Sequence, residues 1–147
     1  MKRIWFVPLM IVLLLGCAGM PKLFQPPEPY CTVEEQETSL IYKYLNPADA
    51  KFFLVGGLSY RLHKHPEDAA AIKRNLITLE ASVKEGITYA SLEKYVAANF
   101  GIFTGVTLSE AFTNFKGISL PLSVCDKRMT LGAVKRLLEI VDMAQLE

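Results

Sequence analysis

From Thr32 onward, apolar residues recur every three or four positions, and glycine, proline or a short polar break ends each run. That is the period of amphipathic helices, not the alternation of half-buried strands. Thr32-Val33-Glu34-Glu35 reads as a capping box, with Glu37 adding acid near the start, and opens a helix with Leu40, Ile41, Tyr44 and Leu45 on its apolar face that stops near Asn46. Asn46-Pro47 then caps a second helix, with proline at its first position. Its run Phe52, Phe53, Leu54, Val55, Leu58 and Leu62 is apolar nearly all round, which predicts the central, most buried helix.

Pro66 opens a third helix, in which Ala69, Ile72, Leu76, Leu79 and Val83 lie inward; Lys73, Arg74, Glu80 and Lys84 face solvent and Gly86 ends it. Thr88 caps a fourth, with Tyr89, Leu92, Val96 and Phe100 on one face and Gly101 at its end. A second capping box, Thr107 to Glu110, starts a short helix that buries Leu108, Ala111, Phe112 and Phe115 and stops at Gly117. After an extended link from Ile118 to Val124, a last helix begins near Asp126, its face made by Leu131, Val134, Leu138 and Val141. The expectation is an all-α protein, a compact bundle of about five to six helices over residues 31–147, with no repeat of fixed period.

The first 30 residues follow a different pattern. Lys2 and Arg3 precede an apolar run from Ile4 to Leu15 that only Pro8 interrupts. Twelve helical residues span about 18 Å, short of the roughly 30 Å hydrocarbon core, so a processed signal over residues 1–16 fits better than a spanning helix. Leu14-Leu15-Gly16-Cys17 resembles the lipobox of bacterial lipoproteins. That resemblance implies diacylglycerol on Cys17, cleavage after Gly16 and acylation of the new amine. Two or more acyl chains anchor a protein stably where one does not. Ala18, where aspartate would favour inner-membrane retention, implies by the same resemblance the inner leaflet of an outer membrane, facing the periplasm. Residues 17–30 would then be lipidated Cys17 and a tether. Pro21, Pro26, Pro27 and Pro29 make that tether a semi-rigid polyproline spacer reaching up to about 40 Å from the bilayer. A proline-rich ligand for a partner's aromatic groove is the other reading of the same stretch.

Removing the signal takes two of the 16 basic residues and leaves 14 against 15 acidic ones. This balance gives no electrostatic footprint for nucleic acid. With Cys17 used by lipid, Cys31 and Cys125 remain. An even pair in an exported chain reads as a disulfide, here joining the starts of the first and last helices, against the alternative of two free thiols.

Catalytic constellations are thin. His63-Lys64-His65-Pro66-Glu67-Asp68 gathers two imidazoles and two carboxylates, but on a helix residues two apart point about 200° apart and share no metal ion. No Gly-x-Ser-x-Gly elbow occurs, and Gly101 to Gly105 matches neither a P-loop nor a dinucleotide fingerprint. The sequence therefore points to no enzyme, no cofactor and no metal site. Ala97 to Cys125, by contrast, is 29 residues long with only Glu110 and Lys116 charged. Its phenylalanines, Phe100, Phe103, Phe112 and Phe115, either fill the core or form an apolar groove for a partner segment. Gly56-Gly57, inside the second helix, asks for close approach by something, either a neighbouring helix or the wall of a crevice.

The functional expectation is an outer-membrane-anchored periplasmic lipoprotein, a non-enzymatic adaptor for another envelope protein. Its general plan is similar to the small helical pilotin lipoproteins. The alternative is a carrier or sensor of a small apolar ligand, and after it an envelope enzyme using His63 or His65.

Overall fold

The computed structural model describes residues 31–100 and 110–146, and of Ala48 only the backbone. The expectations for the signal, for Cys17 and its tether, for Phe103 and for the capping box at Thr107 lie outside the described residues. Within them all regular structure is helical: α1 (Val33–Thr38), α2 (Leu40–Tyr44), α3 (Pro47–Lys64), a 3₁₀ turn (Pro66–Asp68), α4 (Ala69–Glu85), α5 (Tyr89–Phe100) and α6 (Val124–Ala144). A further helical turn covers 110–113.

The capping box at Thr32 forms as read: the Glu35 N–H donates to the Thr32 hydroxyl, and the Thr32 N–H to the Glu35 carboxylate. The helix it opens does not run on to Asn46. It breaks at Ser39, whose backbone is extended and which ends α1 and caps α2 at once. The Ser39 hydroxyl accepts from the Tyr42 N–H at 3.0 Å and donates to the buried carboxylate of Asp126. A serine offered such partners competes with the helical ladder, and here it wins.

Asn46 and Pro47 start α3 as expected, the Asn46 carbonyl accepting the Ala50 N–H at 2.9 Å. The helix is not the most buried one, however. Leu58 and Leu62 are buried and Leu54 is half-buried, but Phe52 is 74% exposed. The stripe Leu54, Leu58 and Leu62, with Val55 and Ala50 beside it, packs against the rest of the protein, and α3 lies against one side of the bundle. The centre is the pairing of α4 with α6.

The inward residues of α4 are Ala69, Ile72, Leu76, Leu79 and Val83, and those of α5 are Tyr89, Leu92, Val96 and Phe100, as their spacing predicts. Gly86 ends α4 with φ 107°, a left-handed cap that favours glycine. In α6 the expected start shifts. Ser123 is the cap, accepting from the Asp126 N–H at 3.1 Å, and Val124 is the first helical residue. Its face shifts too: Cys125, Met129, Val134, Leu137, Ile140 and Val141 are buried, while Leu131 and Leu138 are half-buried.

The link before α6 has a defined job. A helix leaves its first N–H groups without intrahelical partners. The Leu120 carbonyl takes the Tyr89 N–H at 3.1 Å, and the Ile118 carbonyl takes the Ala90 N–H at 2.9 Å. Leu122 returns a hydrogen bond to the Ile87 carbonyl, and Thr88 and Pro121 form an isolated antiparallel bridge.

Candidate functional site

One end of the bundle is held by a buried polar junction. Asp126, fully buried in the first turn of α6, accepts from the Ser39 hydroxyl, from the Leu40 N–H at 3.1 Å and from the Tyr89 hydroxyl. The Tyr89 oxygen in turn accepts from the Ser123 N–H at 3.1 Å. Three helix starts, those of α2, α5 and α6, thus converge on one carboxylate. Burial, and then the bond to Asp126, push the Tyr89 hydroxyl above the usual tyrosine range. Beside this junction Cys31 and Cys125 are paired as a disulfide, with Cα atoms 5.3 Å apart. Outside it, Arg128 reaches Glu35 at 2.7 Å. The backbone bond from Thr32 and that guanidinium hold the Glu35 carboxyl below its usual value.

The junction and the disulfide fix α2 against the start of α6. Between α2 and α3 on one side and α6 on the other lies an open apolar cleft of about 600 Å³. Ile41, Leu45, Leu54 and Val55 form one wall, and Met129, Ala133 and Leu137 the other. Leu76, Leu79, Leu92, Val96, Phe100 and Phe112 also line it. Gly132 belongs to the lining as well. Among the described residues the charged ones along the lining are Lys51 and Arg136, with no carboxylate. A smaller hollow of about 370 Å³, lined by Lys51, Phe52, Val55, Gly56 and Arg136, continues the cleft outward over α3.

Of the phenylalanines singled out by sequence, three lie among the described residues. Phe115 is fully buried, its ring 5.4 Å from that of Tyr89 and 5.6 Å from that of Phe112. Phe100 is 4% exposed, and Phe112 is half-buried. Phe115 and Phe100 are core residues, and Phe100 and the half-buried Phe112 also reach the cleft lining. The lining drawn from α2, α3 and α6 went unread in the sequence. Its residues look like ordinary core positions, and which of them line a hollow depends on how the helices pack.

The histidines stand apart. His63 is exposed at the end of α3, and the His65 ring lies 3.1 Å from Glu67 at the surface. The bond from its own backbone N–H, and then His65, lower the Glu67 carboxyl. Neither imidazole lines the cleft. Among the described residues no cluster of three His, Cys, Asp or Glu side chains is arranged to hold a metal ion, and no helix is long and apolar enough to cross a membrane.

No protein-family model, no curated protein and no solved structure matches the chain.

Proposed function

We propose that the protein is a lipid-anchored, non-enzymatic binding module of the cell envelope, and that its cleft receives apolar side chains of another envelope protein. The observation that carries the reading is the open cleft itself. A small protein that leaves a hollow of about 600 Å³ between its helices forgoes the burial that would stabilise it, and large exposed apolar surfaces mark binding sites. The lipobox residues Leu14 to Cys17 support the anchor, and the prolines of the following stretch support a spacer that holds the bundle off the bilayer. The outer membrane is proposed from Ala18, and a periplasmic setting suits the Cys31–Cys125 pair.

The test has two arms. Mass analysis of the amino-terminal peptide from the native host is expected to show acylated Cys17, and Cys17→Ser is expected to leave the membrane fraction. Ala133→Leu is expected to fill part of the cleft and abolish binding while the protein stays folded. Binding unchanged in that variant would contradict the reading.

A second reading is favoured by one quantity. The cleft volume falls within the roughly 300–1,000 Å³ of small-molecule sites, so a carrier or sensor of an apolar ligand fits the same hollow. Native mass spectra of the protein from its host separate the two: a co-purifying alkyl compound supports the carrier.

A further inference from the structure

Gly56 is a helix-interior glycine without an internal reason. It is exposed on α3, and a Cβ built there meets nothing within 4 Å. Glycine is the poorest helix former after proline, and packing within the described fold does not require it here. One turn to either side on the same face stand Phe52, 74% exposed, and Tyr60, 67% exposed. Residues four apart lie one above another on a helix, so the three make a notch between two exposed aromatic rings. The notch is continuous with the cleft, because Phe52, Val55 and Gly56 line the hollow that leads into it.

The charge along this path is of one sign. Lys51 and Arg136 flank the hollow. Lys51 forms no ion pair with the described residues; Arg136 bonds Glu139 on its own helix at 3.0 Å, which uses part of its five-donor fork. Among the described residues no carboxylate lines either hollow.

We propose that the partner segment is an acidic amphipathic helix that crosses α3 at Gly56. Its backbone passes over the notch, where the missing side chain permits close approach. Its apolar side chains lie between Phe52 and Tyr60 and enter the cleft past Val55. Its carboxylates face Lys51 and Arg136, an arrangement that selects against basic helices. This deepens the reading of the cleft as a protein-docking site and rests on it.

Photo-crosslinking from position 52 of the full chain in its native host, with sequencing of the captured peptide, tests the proposal. The expected capture is a segment with apolar residues at helical spacing and acidic residues beside them. The yield is expected to fall at least fivefold in Lys51→Glu/Arg136→Glu, and equally in Gly56→Leu, whose purified form is expected to melt at a higher temperature than the parent because the added side chain meets open space. That rise separates lost docking from lost folding. Capture of a basic or non-amphipathic segment, capture of a second copy of this chain, or a yield indifferent to the variants overturns the proposal. A parallel probe at Leu54 distinguishes the two levels. Protein captured there but not at position 52 overturns the crossing and leaves the docking cleft standing; an acyl adduct, or nothing, at Leu54 removes the docking cleft as well.

Discussion

The hydroxyl of Tyr89 donates to the carboxylate of Asp126, joining the first residue of α5 to the first turn of α6 across 37 positions of sequence. The same carboxylate accepts from Ser39 and Leu40, so a single buried group sets where three helices begin. The cleft lies beside this junction, lined by α2, α3 and α6.

Asp126→Asn is expected to destabilise the protein by about 1–3 kcal/mol. An amide presents a donor toward at least one of the groups that now donate to the carboxylate, and a buried donor left without an acceptor costs that much. Tyr89→Phe is expected to cost a similar amount, since it leaves the Ser123 N–H without its acceptor. Urea unfolding of both variants checks this, with the midpoint falling and the slope unchanged.

Stability is expected to decline in alkali. Tyr89 titrates higher in the folded protein than in the unfolded chain, so its contribution is fully present below the unfolded value of about 10 and is lost as pH rises through the folded one. Tyr95, raised by burial, acts in the same direction. An ultraviolet titration should show tyrosines ionising late and together with unfolding. Tyr89→Phe should make the decline shallower.

Reducing the Cys31–Cys125 bond releases a loop of 94 residues and is expected to cost about 4–5 kcal/mol in the chain-entropy model. Thermal melts with and without reductant measure it. Two free thiols in protein taken from the host envelope would contradict the bond.

Gly56→Ala is expected to raise stability by about 1 kcal/mol, because the added methyl meets open space and alanine is the better helix former. A melting temperature lower than the parent's would show that α3 needs its glycine for packing after all.

Much of the helical plan was legible because periodicity carries it. The inward faces of α4 and α5 follow their three-and-four spacing residue by residue, and Gly86 caps where a glycine should. What failed depended on distant partners. Nothing local in Thr38-Ser39-Leu40 announces a break, since its cause, Asp126, lies 87 positions away. Ser123 caps α6 where the sequence suggests an extended link, and the direction in which the Asp126 carboxylate turns does not follow from local sequence. The apolar run of α3 was misread as central because hydrophobicity shows that a residue gains from cover without showing what covers it. Phe52 and Tyr60 have no such cover among the described residues. The cleft was illegible for a related reason: Phe100 and Phe112 were singled out, yet its walls use the same residue types as a closed core.

The most direct measurement is site-specific photo-crosslinking in intact cells, with a reactive residue at Leu54 on the cleft wall, a control at Arg74 on the exposed side of α4, and Cys17 kept. One envelope protein captured from Leu54, absent from Arg74 and lost in Ala133→Leu, is the predicted result. A folded, correctly localised protein that captures nothing from Leu54 would contradict the assignment of the cleft as a docking site.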